Sequence, residues 1–238
     1  MSKKISSRKR KATASKHTDT HRVFDLVIRF ALALIFSLSA GFYIHNALDK
    51  FHGVDLIHPN PETLARALSI LAIGLYTLMI ACLYVLRLRP MNKFAGVWPC
   101  AAAILGGFLM SGLLFFSPRT DLPLSVQVAA SVLVLIGNAF AVMILLRLGR
   151  SFSIIPEGRR LVTTGPYKIV RHPLYLAEAV ATLGALINFL SPWALVLVAV
   201  QMAFQLVRIH YEERVLRETF PEYAKYAKHT ARLIPGVY

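Results

Sequence analysis

Two short stretches near the C-terminus concentrate side chains able to do chemistry. The first reads Arg159-Arg160-Leu161-Val162-Thr163-Thr164-Gly165-Pro166-Tyr167 and continues to Arg171-His172-Pro173-Leu174-Tyr175. Thr-Gly-Pro marks a tight turn. The residue before a proline avoids helical geometry, and proline itself suits the first helical turn, so His172-Pro173 predicts a helix start. The first N–H groups of a helix lack partners within it and sit at the positive end of its dipole, a natural seat for a carboxylate. The plainer alternative is a capped helix start with an interfacial histidine, and with Tyr167 and Tyr175 as ordinary interfacial aromatics.

The second stretch reads Arg208-Ile209-His210-Tyr211-Glu212-Glu213-Arg214. On a helix Arg208 and Glu212, four apart, share one face. As an exposed ion pair they would contribute only about 0.3 to 0.5 kcal/mol. If the chain returns to the same membrane face between the two stretches, Arg208 and Glu212 come near His172, and the group becomes a candidate site. Glu178, about one turn inside the helix that starts at Pro173, is an ionisable group at shallow membrane depth. It either faces a cavity or a partner, or it snorkels to the interface.

The elements that must hold these residues are membrane helices. The chain of 238 residues is 56% hydrophobic and 16% charged, with mean hydropathy +0.55. Charge-free runs at Phe30 to Leu48, Leu68 to Leu86, Phe94 to Phe116 and Leu124 to Leu146 approach or exceed the roughly 20 apolar residues that cross a hydrocarbon core. Two shorter runs follow, Leu174 to Leu190 and Trp193 to Val207, separated by Ser191-Pro192. They read as a helical hairpin whose second helix continues past the bilayer into the polar stretch from Arg208 to Phe220. The expected fold is all-α, a polytopic bundle of about six transmembrane helices. It divides into a basic disordered tail (1–22), four N-terminal spans (23–148) and a catalytic region containing the hairpin (149–238).

The net charge of +15 raises the possibility of nucleic acid, but the basic residues sort by membrane side. With six passes, one side receives the tail, Arg87, Arg89, Lys93, the loop from Arg147 to Arg171 and the C-terminal segment. The other receives little beyond Lys50, Arg66 and Arg119. That asymmetry makes the basic side cytoplasmic, with both termini on it, and makes the bilayer rather than nucleic acid the partner. The tail is too polar to fold alone, and its basic residues would either orient the protein or bind anionic headgroups. The first apolar run is longer than a signal-peptide core and is read as a retained anchor. Cys82 and Cys100 are too few for a disulfide framework and are expected as buried free thiols. The histidines of the loop from Asp49 to Glu62 follow no metal-ligand spacing, so no metal site is expected. Gly106-Gly107 and Ser111-Gly112 read as a close helix-packing face.

The order and spacing of the polar residues carry a resemblance. Leu161-Val162-x-x-Gly165-x-Tyr167-x-x-x-Arg171-His172-Pro173-x-Tyr175, then Arg208-x-x-x-Glu212-Glu213-x-x-Leu216, Phe220-x-Glu222-Tyr223-x-x-Tyr226 and Ile234-Pro235-Gly236 resemble the isoprenylcysteine carboxyl methyltransferase family and its phospholipid methyltransferase relatives. The similarity runs from Gly149 to the end; the earlier spans match only as generic membrane helices. It implies a cytoplasm-facing pocket for S-adenosylmethionine lined by Arg160, Leu161, Val162 and Tyr167, with His172, Pro173, Leu174 and Tyr175 holding the cofactor at the helix start. Glu212 would contact it from the opposite side and Arg208 would face the methyl acceptor, with Glu178 assigned to the acceptor as well. The chain departs from the family pattern at Arg159-Arg160 and at Ala177-Glu178, which bears on the acceptor more than on the cofactor.

Methyl transfer from a sulfonium is an in-line displacement that needs positioning more than acid–base machinery. A carboxylate is already ionised at neutral pH, and Arg208 could clamp it bidentately. An amine or thiol acceptor would instead need His172 or Glu212 as a base. The sequence leaves open whether the acceptor is a prenylated cysteine carboxylate, a phospholipid amine, a small thiol or another lipid, and it sets no oligomeric state. Two rival readings are a membrane NADPH-dependent reductase of the sterol-reductase type, which has a similar Tyr-x-x-Tyr and Ile-Pro ending, and a non-catalytic transporter or scaffold.

Overall fold

The structure, a computed structural model, describes residues 2–52, 60–88, 91, 96–119 and 121–236, with side chains from Asp25 onward except that of Leu114. Among the described residues seven α-helices follow in order: α1 (Ser2–His52), α2 (Pro61–Leu86), α3 (Val97–Phe108), α4 (Leu124–Leu148), α5 (Pro173–Asn188), α6 (Pro192–Thr219) and α7 (Tyr223–His229). Short 3-10 segments lie at Leu109–Phe115, Gly149–Ser151 and Gly165–Lys168. Among the described residues the only extended pairing is an isolated parallel bridge between Val170 and Ala231. The backbone of the basic stretch up to residue 22 belongs to α1, and its side chains lie outside those described. Most of the loop before α2, residues 53–59, also lies outside the described residues.

Among the described residues four helices are long and apolar enough to cross a membrane: α1 from Asp25, α2, Leu124–Ser151 and α6; Val97–Leu113 and α5 are apolar but shorter. The third run, expected as one full span, is the 12-residue α3 followed by seven residues of 3-10 helix. Gly106, Gly107 and Gly112 are weak helix formers, and a 3-10 stretch of that length marks a segment held by its neighbours rather than by its own propensity. The sixth run is one unbroken helix that carries past its apolar part to Thr219. Phe30, Leu34, Leu38 and Trp193, each more than 60% exposed, turn large apolar side chains outward, as lipid contact requires.

Local chemistry starts these helices. Asn60 caps α2 by accepting from Glu62 N, with Pro61 in the first turn. Ser191 caps α6 by accepting from Ala194 N, again before a proline. At α5 His172 takes the cap position with φ −126°, and Pro173 opens the helix.

Helix α1 packs along α2, α2 on α4 and α4 on α5, while α3 packs on α6. Joined by a short turn, α5 and α6 nevertheless touch at few points, so the expected hairpin is splayed. Glycines draw α5 toward α4 instead. A Cβ at Gly137 would fall 2.4 Å from Ala181 N, and one at Gly184 would fall 2.5 Å from Ala130 O, so only glycine admits this approach. On the other arm, Gly106 lets Arg208 and Phe204 of α6 lie against α3.

At the basic end of the bundle Asp25 joins Arg87 at 2.6 Å and Arg159 at 3.6 Å, and Glu157 also pairs with Arg159. Arg29 Nη2 donates to Arg87 O at 2.8 Å. This network ties α1, α2 and the loop after α4 together, and it gives the buried Arg159 a structural task. Tyr84, fully buried, accepts from Ile154 N at 3.0 Å and fixes the same loop. Both cysteines are free; Cys100 is buried as expected, whereas Cys82 is exposed on the outside of α2.

Candidate active site

The start of α5 and the polar end of α6 meet, and the residue that joins them is Glu213. Its carboxylate lies 3.2 Å from His172 Nε2 and 3.2 Å from Arg171 Nη1, 2.9 Å from Arg232 Nη2 and 3.8 Å from Arg217 Nη2. The backbone adds to the clamp: Arg171 N donates to Ala231 O and His172 N to Arg232 O. The segment after α7 is thereby tied to the His-Pro corner. Sequence reasoning assigned the work to Glu212 and passed over Glu213. The signal was available, because Gln201, Gln205, Ile209 and Glu213 recur at every fourth position and all four are buried. That is the inward stripe of a helix.

Glu212, one residue earlier, turns to Tyr175, whose hydroxyl donates to it at 2.7 Å. The Arg208 guanidinium lies over the Tyr175 ring, 4.9 Å from its centre. Arg208 and Glu212 form no ion pair among the described residues. Arg208 Nη1 instead donates to Gln205 Oε1 at 2.8 Å, Gln205 Nε2 donates to Glu178 at 2.7 Å, and Tyr76 OH donates to the other Glu178 oxygen at 2.5 Å. A continuous polar chain therefore runs Glu212, Tyr175, Arg208, Gln205, Glu178, Tyr76. Glu178 faces inward with partners rather than snorkelling outward.

Of the residues expected at the cofactor, Tyr167, His172, Pro173 and Leu174 are buried, and Val162 packs against the cluster that contains Tyr167 and Leu174. Tyr175 and Glu212 are half-buried beside them. Tyr226 OH donates to Tyr167 O at 2.6 Å and pins α7 to this wall. Burial, followed by the nearby Glu212 carboxylate, pushes the Tyr167 phenol well above its ordinary range, and burial pushes Tyr226 up to about 12. Arg160 is exposed and Leu161 half-buried on the approaching loop, and neither makes a hydrogen bond or ion pair to His172, Tyr175 or Glu212 among the described residues.

Behind Arg208 lies a cavity of about 850 Å³ in the gap between the splayed α5 and α6, lined also by α1, α2, the α3 segment and α4 and partly open to the outside. Its walls are chiefly apolar. Arg208, Gln205, Glu178 and Tyr76 form one end, and Asp49 and Lys50 lie near the other. Along α1 it extends from Phe36 to Lys50, about 21 Å at 1.5 Å per residue.

Residues 129–218 match the model of the isoprenylcysteine carboxyl methyltransferase (ICMT) family. The cobalt-zinc-cadmium resistance protein CzcN of Cupriavidus metallidurans is 37% identical over 81 residues, which cover 33% of this chain and 37% of that protein. Protein-S-isoprenylcysteine O-methyltransferase B of Arabidopsis thaliana is 30% identical over 112 residues, covering 44% of this chain and 57% of that one. A probable protein-S-isoprenylcysteine O-methyltransferase of Oryza sativa subsp. indica is 36% identical over 115 residues, with 44% and 59% covered. The chain thus spans less than two thirds of the length of these relatives. A solved structure of a eukaryotic intramembrane Ras methyltransferase, ICMT, aligns over 90% of this chain and 96% of that one, at 16% identity and a TM-score of 0.41. The matched segment 129–218 runs from within α4 to the last turn of α6, and so contains the His172 corner together with Arg208, Glu212 and Glu213.

Proposed function

We propose that the chain is an integral membrane methyltransferase that uses S-adenosylmethionine to methylate the carboxylate of a lipidic or prenylated acceptor. One observation supports this above the others: Arg208 lines the apolar cavity and also lies over Tyr175, whose hydroxyl holds Glu212. A single guanidinium therefore touches both the chamber suited to a lipid and the corner suited to a cofactor. The named activity of the Arabidopsis and rice relatives agrees with this reading.

The residues of the corner fit the cofactor. Helix α5 starts without a side-chain cap, so its first-turn N–H groups are available to the methionyl carboxylate. Val162, Tyr167 and Leu174 supply an apolar wall, and Glu212 an acceptor for amino or ribose hydroxyl groups. Pro173 sets the helix start, and Arg160 and Leu161 would close the outer side. His172 contributes through its position at the helix cap, since its ring is held by Glu213.

When bound, S-adenosylmethionine supplies a sulfonium methyl open to in-line displacement. The chain's own work is positioning. Arg208, with one nitrogen committed to Gln205, keeps others for the acceptor carboxylate, and that charge-assisted contact fixes the attacking oxygen. Glu178, held by Tyr76 and Gln205, balances the guanidinium while remaining apart from the nucleophile. A carboxylate acceptor needs no base. The basic end of the bundle is then the cytoplasmic side, where the cofactor enters.

Thermal unfolding of the detergent-purified chain tests the cofactor. S-adenosylhomocysteine should raise the melting temperature and NADPH should not; the reverse result would make the chain a reductase and overturn the reading. Membranes incubated with radiolabelled S-adenosylmethionine and then treated with base should release volatile methanol from an ester. Label that stays bound after base would place the methyl on nitrogen or sulfur and refute the carboxylate acceptor.

A further inference from the structure

Arg208 is a buried cation without an ion pair among the described residues. Its Nη1 donates to the amide oxygen of Gln205 at 2.8 Å, and its guanidinium lies over the Tyr175 ring. The balancing charge stands one residue farther off. Gln205 Nε2 donates to one Glu178 oxygen at 2.7 Å, while Tyr76 OH donates to the other at 2.5 Å. Arg208, Gln205, Glu178 and Tyr76 come from three helices, and all four line the cavity.

Each member of this relay dictates the next. A guanidinium can only donate, so Gln205 must turn its oxygen to Arg208 and its nitrogen away, and the group behind that nitrogen must accept. Glu178 does so, held in turn by the Tyr76 phenol. The order decides where the charge goes. A carboxylate in direct contact with a buried guanidinium makes a strong charge-assisted pair and competes with any second carboxylate for the same cation. An amide oxygen and an aromatic face hold the guanidinium in place without bringing a net charge to it. With Nη1 on Gln205 and Nε buried without a partner among the described residues, Nη2 is the nitrogen left for an occupant of the cavity.

We propose that Gln205 is a positioning residue that separates Arg208 from Glu178, so that the relay orients the guanidinium yet leaves its charge for an acidic occupant. This rests on reading Arg208 as the seat of the acceptor's carboxylate. The selection it confers, a lipidic acid over a neutral lipid of the same length, is a binding property measured without methyl transfer.

The test uses the full chain in detergent, without methyl donor, at mildly alkaline pH where a fatty acid is ionised. Radiolabelled stearate is compared with radiolabelled stearyl alcohol, the same chain with a neutral head. The wild type should bind the acid about tenfold or more tightly than the alcohol. The swap Glu178→Gln/Gln205→Glu keeps the net charge and every hydrogen bond of the relay. The amide placed at position 178 can accept from Tyr76 and donate to the carboxylate placed at position 205, which accepts from Arg208. Only the position of the negative charge changes. The swap should therefore keep the wild-type melting temperature and lose the preference for the acid, whereas Glu178→Gln alone, which brings no charge to Arg208, should keep that preference. An acid preference that survives in the swap would overturn the proposal, as would its loss in Glu178→Gln alone or its absence from the wild type. If the swap does not fold, Gln205→Glu alone brings the same carboxylate onto Arg208, and a preference that survives there is equally fatal. Methyl transfer is assayed separately. A chain with the expected binding pattern that transfers no methyl keeps the Gln205 relay and loses the enzyme; one that transfers methyl while the swap still prefers the acid loses the relay alone.

Discussion

Neighbouring glutamates on α6 have opposite tasks, and substitution separates them. Glu213 is buried among Arg171, His172, Arg217 and Arg232, and removing one partner of a buried ion network strands the others. Glu213→Gln should therefore cost about 3 kcal/mol of stability, read as a lower melting temperature and faster proteolysis in detergent, with activity lost as a consequence. Glu212 is half-buried and holds one hydrogen bond, to Tyr175. Glu212→Gln should change stability by no more than about 1 kcal/mol yet lower methyl transfer by about a hundredfold. Equal losses of stability in the two variants would contradict this division. The Arg208–Glu212 spacing was legible as a shared helix face, but the partner each residue chooses was not, because the relay from Arg208 through Gln205 and Glu178 to Tyr76 forms only once three helices are in place.

Among elements, α3 acts as a gauge for α6. A Cβ on Gly106 would fall 2.9 Å from Arg208 Cδ and 3.4 Å from Phe204 Cβ, whereas one on Gly107 meets nothing nearer than 3.7 Å. Gly106→Ala should push the guanidinium off Tyr175 and lower kcat/KM by about tenfold at a stability cost of about 1 to 3 kcal/mol. Gly107→Ala should be neutral in both assays, and parity between the two would show that the α3 contact does not set Arg208. Helix α7 is a second gauge, fastened by Tyr226 to Tyr167 O. The folded pKa of Tyr226, about 12, lies above the ordinary tyrosine value of about 10. Its contribution is therefore complete below about pH 10 and disappears as the pH rises toward the folded value. Tyr226→Phe should lower stability at neutral pH by about 1 kcal/mol and flatten the alkaline limb of the stability profile measured by thermal unfolding.

For the whole molecule, the sequence announces its helices more clearly than their arrangement. His172-Pro173 marks one helix start within a residue and Ser191-Pro192 the turn before another, because capping is local chemistry; α2 starts at Pro61 inside a stretch that reads as loop. The splay of α5 from α6 depends on Gly137 and Gly184 admitting the α4 backbone, and on the small face of α3 receiving α6, relations between distant segments that no local pattern states. The third run was long enough to read as a full span, yet its glycines shorten the α-helix to Phe108. That splay creates the cavity and sets it apart from the His172 corner, so the chamber proposed for the acceptor and the corner proposed for the cofactor can be perturbed independently. Ala185 lines the cavity on α5, about two turns from Glu178, and an indole there occupies the chamber while leaving His172, Tyr175 and Glu212 untouched. Ala185→Trp should raise the KM for a long-chain acceptor by about tenfold or more, while the melting-temperature shift given by S-adenosylhomocysteine stays at its wild-type size. Loss of that shift together with the acceptor would mean that chamber and corner are one site, and a wild-type KM would mean that the acceptor reaches Arg208 by a route outside the cavity.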